Sequence, residues 1–164
     1  MPVHPRRAAS VAALAAALLL PPAAARAAEP VTYTLRNART GTCLHHVPGT
    51  TQVRLEPCAA VPEQRWELRP WGPAVNVTAF DPEKGTWGCV AIGDNWSIRY
   101  GQCGTTESAW SIPDRDRSRV RSASDLNNND LYLTETDSGH LAARPGGTTP
   151  SADWIVAADI AGST

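Results

Sequence analysis

From residue 31 onward the apolar residues fall in short runs that alternate with polar ones. YTLRNA (33–38), VNVTAF (75–80) and RVRSAS (119–124) each carry alternating or β-favouring residues, the pattern of a half-buried strand. Each run is followed by a turn-rich segment, ARTGT, DPEKGT and LNNND, with Gly41, Gly85 and Asn129 at one place in each. Those residue types accept the positive φ that a tight hairpin requires. Second strands follow in CLHHV, CVAIG and YLTET. After a second bend (PGTTQ, GDNWS, TDSGH) come third strands in QVRLEPC, WSIRYGQC and HLAAR. No 3.6-residue apolar pattern competes after residue 27, and prolines lie mostly between runs, where strands end.

The fourth strands reveal the organisation. The stretch EQRWEL holds Trp66; Trp110 and Trp154 follow at intervals of 44 residues. Leu68, Ile112 and Val156 keep the same interval, as do Asn37, Asp81 and Asp125, and Leu35, Ala79 and Ala123. Self-similarity at a fixed period marks a repeat architecture. The reading is all-β: three units of about 44 residues, four short strands each, filling residues 31–156. A solenoid needs capping repeats and a propeller usually needs four or more blades. Three units closing around an axis remove most sheet edges instead. The common place of Trp66, Trp110 and Trp154 assigns them to the core.

The first 27 residues read differently. Arg6 and Arg7 precede an apolar run over residues 8–20, and Ala25-Arg26-Ala27 follows as a small-residue cleavage site. This is the layout of a secretory signal peptide. Its apolar run of about 13 residues is short of the roughly 20 that span a bilayer, and the arginine pair leaves Sec and twin-arginine export both open. The expected mature domain is 28–164. Its removal of three arginines from 15 basic residues, against 16 acidic, leaves a formal charge of −4. That balance speaks against nucleic acid or an anionic membrane as partner. All four cysteines lie in the mature part, and an even count in a secreted chain implies disulfides. Three pairings are possible. The spacings of 15 and 14 residues favour two similar local loops, Cys43–Cys58 and Cys89–Cys103. No Cys-x-x-Cys occurs and no His stands at ligand spacing from a Cys, so zinc is not expected.

Gly41-Thr42-Cys43-Leu44, then Cys58, then Gln64-Arg65-Trp66 resembles the ricin B-type β-trefoil lectin family. The second unit keeps Gly85, Cys89, Val90, Cys103 and Trp110, with Ser108 in place of the glutamine. The third keeps Leu133 and Trp154, with Tyr132 near the first Cys position and no cysteines. The resemblance covers essentially the whole mature chain. It implies a β-trefoil of twelve strands and sugar binding in shallow pockets, one possible per unit.

A sugar pocket needs a carboxylate or amide for hydroxyls and an aromatic face for the C–H side of the ring. The family's carboxylate follows the Cys-Leu pair; His45, Ala91 and Thr134 stand there instead, and Glu63 precedes Gln64. Polar and aromatic substitutes stand nearby. The second unit offers Asp94, Asn95, Trp96 and Tyr100 on one hairpin, the leading candidate. The first offers His45 and His46 beside Glu63 and Gln52, a pair that is more often simply solvated. The third offers Asp137 and His140 without an aromatic.

Asp125, Asn127 and Asn129 match positions of an EF-hand loop, but Asp130 and Thr136 stand where Gly and Glu are needed, so calcium is not expected. Asp114 to Arg117 reads as a solvated linker. Asn76-Val-Thr78 and Asn95-Trp-Ser97 are glycosylation sequons. No catalytic constellation, cofactor motif or metal site is evident. The expectation is a secreted, non-catalytic, carbohydrate-binding trefoil. The alternative is a degenerate trefoil that docks on a protein, as an enzyme inhibitor or a toxin accessory subunit.

Overall fold

A computed structural model describes residues 30–114, 117–123, 130–146 and 149–159. The proposed leader, residues 126–129 of the LNNND turn, the Asp125–Asn129 calcium candidate, and residues 115–116 of the proposed linker lie outside the described residues. Thirteen strands are described. The first unit contains β1 (Thr32–Asn37), β2 (Thr42–His46), β3 (Val53–Pro57) and β4 (Glu67–Trp71). The second contains β5 (Ala74–Asp81), β6 (Thr86–Ile92), β7 (Ile98–Gly101) and β8 (Ala109–Ser111). In the third, the first strand is split at Val120 into β9 (Ser118–Arg119) and β10 (Arg121–Ser122), followed by β11 (Leu131–Glu135), β12 (Leu141–Pro145) and β13 (Asp153–Asp159). Four strand positions per unit make twelve in all, as expected.

First and fourth strands close a barrel. Each fourth strand pairs antiparallel with the first strand of the next unit: β4 with β5, β8 with β10, and β13 with β1. Each tryptophan pairs back to the first strand of its own unit, as Tyr33 with Trp66, Val75 with Trp110 and Ser118 with Trp154. Among the described residues these pairings close the ring. Second and third strands form the hairpins β2–β3, β6–β7 and β11–β12. The hairpins touch through the bridges Gln52–Arg99 and Ser97–Ala142. This is the β-trefoil fold.

The core follows the repeat. Trp66, Trp110 and Trp154 are all 0% exposed. Their indole N–H groups donate to the carbonyls of Leu44 (3.1 Å), Val90 (2.8 Å) and Leu133 (2.8 Å), equivalent residues of the three hairpins. Each tryptophan thereby ties its barrel strand to its own hairpin. Leu35, Val77, Val120, Leu131 and Val156 pack around them.

The turns repeat too. Asn37 and Asp81 are fully buried, and the side-chain oxygen of each accepts two turn N–H groups: Arg39 and Thr40 on Asn37, Glu83 and Lys84 on Asp81. Gly41 and Gly85, at φ 75° and 63°, close these turns. The Gln64 of the Gln-x-Trp motif is structural: it accepts from Ala59 N–H at 2.8 Å and donates to Pro57 O at 2.9 Å. Ser108 holds the same place in the second unit by bonding within its own turn, from Thr105 N–H and to Thr105 O.

Both disulfides adopt the local pairing, Cys43–Cys58 and Cys89–Cys103. Each staples a second strand to the segment after the third strand, within one unit.

Candidate functional site

The β6–β7 bend, residues 93–97, departs from its two counterparts in backbone conformation. In the first and third units the hairpin bend is turned by Gly49 and Gly139, at φ 73° and 77°. In the second unit Asn95 (φ 54°) and Trp96 (φ 62°) take left-handed backbone, and they are the only non-glycine residues that do so among the described residues. Asn tolerates this region; a bulky residue such as Trp does so only when its surroundings hold it there. What holds it is visible. Gly93 N–H donates to Ser97 O at 2.8 Å, and the Ser97 backbone and hydroxyl both donate to Asp94 O, at 3.1 and 2.8 Å. The Trp96 side chain is half-buried and packs on the edge of the core.

Asp94 and Asn95 are exposed. Asp94 lines a cavity of about 570 Å³ where the three hairpins meet, with Gln52 and Arg54 from the first unit, Arg99 from the second and His140 from the third. The fold thus brings Asp94, Gln52 and His140 together from separate units. That arrangement offers a carboxylate, an amide, guanidinium groups and an imidazole, a donor and acceptor set suited to hydroxyl-rich ligands. Asp137 lies apart, in a second polar cleft with Thr134, Glu135 and Arg144.

Two candidates require correction. Tyr100, one of the second-unit candidates for sugar contact, is only 4% exposed and its hydroxyl donates to Ala79 O at 2.7 Å. Alternation along β7 turns it inward, and its ring lies over Gly88, where any side chain would overlap it. Its burial raises the phenol pKa to about 12. His46, expected on the surface, is 1% exposed and stacks on Tyr100 with ring centroids 3.9 Å apart. Its partner His45 is half-buried, opposite Arg54 in the hairpin, with Nδ1 buried and without a hydrogen-bond partner.

His46 and Tyr100 belong to an internal brace. His46 Nε2 lies 3.5 Å from Asp81 Oδ2 and makes no hydrogen bond. Burial opposes ionisation of Asp81, but the N–H groups of Gly49, Lys84 and Glu83 outweigh it, and the pKa is lowered. Burial lowers the pKa of His46 as well, against the attraction of Asp81. The folded state therefore holds His46 neutral and Asp81 ionised. Both groups bind protons less readily folded than unfolded, so both destabilise the fold as pH falls. The His46 contribution is complete above its ordinary pKa of 6.5 and is lost as pH falls below that value; Asp81 follows below 3.8. Melting temperature should drop on acidification from pH 7 to pH 5, and His46→Gln should flatten that drop. Parallel profiles for wild type and variant would show that His46 does not carry it.

One of the two sequons is closed by the fold. Asn76 is 5% exposed, donates to Ser108 O at 2.9 Å and accepts from Gly104 N–H at 2.9 Å. Asn95 is exposed. A separate surface feature escaped the sequence reading: Phe80 and Trp87, 49% and 43% exposed, stand directly opposite each other in the β5–β6 hairpin. The available signal was that they flank the DPEKGT turn, with Phe80 on the outward phase of a strand whose inward residues are Val77 and Ala79.

No protein-family model matches the sequence, and a search of curated proteins finds no match. Solved structures do match. A GlcNAcα1-4Gal releasing endo-β-galactosidase from Clostridium perfringens aligns at 16% identity with a TM-score of 0.64, covering 79% of this chain and 32% of that one. The chain thus spans about a third of that enzyme's length. The Vibrio vulnificus hemolysin/cytolysin β-trefoil lectin with N-acetyl-D-lactosamine bound aligns at 16% identity and TM-score 0.61, covering 77% of this chain and 94% of that one. SeviL bound to asialo-GM1 saccharide aligns at 14% identity and TM-score 0.59, covering 77% and 96%. At such identities the likeness establishes the fold.

Proposed function

We propose that the protein is a secreted, non-catalytic, carbohydrate-binding β-trefoil, and that the end of the second-unit hairpin carries a sugar site. The fold alone does not decide an activity, because one fold hosts many. The observation that carries the reading is the left-handed Asn95-Trp96 pair. Two non-glycine residues hold a costly conformation at a place where the sister units use glycine. Such strain concentrates at ligand sites. Here it sets a half-exposed indole beside two exposed hydroxyl-bonding side chains, Asp94 and Asn95.

Asp94 and Asn95 hold hydroxyls in this reading, and Trp96 stacks on the C–H face of the ring. The β-trefoil neighbours with saccharides bound support a carbohydrate partner, and the two disulfides support export to an oxidising compartment. Tyr100 and His46 take no part in contact with ligand; they stiffen the hairpins beneath it.

A single shallow site competes with water for every hydroxyl, so an affinity of about 0.1–1 mM is expected. Asp94→Ala, at an exposed position, should abolish binding without lowering the melting temperature. Trp96→Ala should abolish binding at a modest cost in stability, because half of that ring packs on the core. Titration of wild type and both variants with galactose, xylose and N-acetylglucosamine tests this. Equal binding by all three proteins would move the site elsewhere. No binding by wild type to a broad sugar panel would favour the protein-docking alternative.

A further inference from the structure

The geometry points to a second sugar site, outside the hairpin bends, in the cleft that Phe80 and Trp87 form where the first and second units meet; it takes one neutral pyranose of a glycan. This rests on the carbohydrate-binding reading and deepens it.

The cleft lies on the outer face of the barrel, beside the sheet β4–β5–β6. Register sets Phe80 opposite Trp87, and their rings meet edge to face with centroids 5.6 Å apart. The guanidinium of Arg69 lies 3.8 Å from the centre of the Trp87 ring, and its Nε donates to Glu67 at 2.9 Å. The indole is thus fixed before any ligand arrives, which reduces the ordering cost of binding. Pro62 and Pro82 supply further rigid wall. The cavity is about 320 Å³, at the small end of the range for ligand pockets and suited to a single ring rather than a chain of them.

Charge selects the ligand class. Arg65 is paired with Asp159 at 3.9 Å and Arg69 with Glu67 at 2.9 Å. Glu63 also lines the cleft and has no ion pair or hydrogen bond among the described residues, though its charge is felt by the buried His46. One uncommitted carboxylate at the edge of an aromatic wall can accept two adjacent hydroxyls at once. Arg69 covers one face of the Trp87 ring from outside the cleft lining, which leaves the cleft side of the indole to a ligand. An acidic sugar meets Glu63 and is disfavoured. What remains is an uncharged ring with an apolar C–H side and neighbouring hydroxyls on its edge. Such a ring covers the exposed parts of Phe80 and Trp87, which water otherwise wets.

The test is site-resolved NMR of the whole mature protein, following the indole N–H signals during titration with galactose, xylose, N-acetylglucosamine and glucuronic acid. Trp87→Ala and Trp96→Ala assign the two signals. The expected result is a saturable shift of the Trp87 signal with at least one neutral sugar and not with glucuronic acid. That shift persists in Trp96→Ala, and Glu63→Gln weakens it about tenfold. Trp87 is exposed and Glu63 half-buried, and melting curves confirm that the variants stay folded. A shift of Trp96 alone would overturn the second site while leaving carbohydrate binding intact. No shift of either signal with any sugar would overturn both. A concentration-dependent dimer that disappears in Trp87→Ala, with no sugar response at Trp87, would assign the cleft to a second copy of the chain and overturn the proposal.

Discussion

Trp66→Ala, Trp110→Ala and Trp154→Ala should each lower the melting temperature by about 10–20 °C. Truncating a buried tryptophan costs about 3–5 kcal/mol, and a domain of this size loses roughly 3–4 °C for each kcal/mol. The total stability to draw on is about 5–15 kcal/mol. Two effects add at each site. The large ring leaves a cavity at the centre of the threefold packing, and a buried carbonyl of Leu44, Val90 or Leu133 loses its donor. Replacement by phenylalanine separates them, since it keeps most of the volume and removes only the donor. A melting curve unchanged by any one alanine substitution would remove that tryptophan from the core.

Removing either disulfide should have the next largest effect. Cys43–Cys58 and Cys89–Cys103 close loops of 15 and 14 residues, each worth about 3 kcal/mol by restricting the unfolded chain. Paired replacement by serine should therefore lower the melting temperature by about 10 °C for each bridge. Cys43→Ser with Cys58→Ser leaves a hairpin still tied by Gln64 and Trp66, so the fold should survive at room temperature. Proteolysis without reduction, followed by mass spectrometry, checks the pairing directly. A Cys43–Cys103 or Cys58–Cys89 peptide would contradict the register of the repeats.

The barrel was legible because it is repetitive. A 44-residue interval repeated over tryptophans, turn residues and strand openings leaves few ways to close three units, and the structure adopts the expected one. Asn37 and Asp81 recur for the same reason: each caps the turn that it begins. The site was less legible. Asp94, Asn95 and Trp96 stand on the bend where strand patterning places them, but Tyr100, four residues on, turns inward. The shift from bend to strand resets which residues face out, and one residue of uncertainty there inverts the assignment. His46 misled in a different way. An imidazole in a His-His pair reads as solvated, yet it is buried against Tyr100 and Asp81, which come from another unit. Phe80 and Trp87 lie seven residues apart, and only the pairing of β5 with β6 makes them one surface.

The proposed function is recognition of carbohydrate without cleavage. A glycan array probed with the purified mature protein, with recovered glycans weighed by mass spectrometry, tests it most directly. The expected result is retention on a defined set of neutral glycans whose masses are unchanged after prolonged contact. Retention on no glycan, or the appearance of cleaved products, would contradict it.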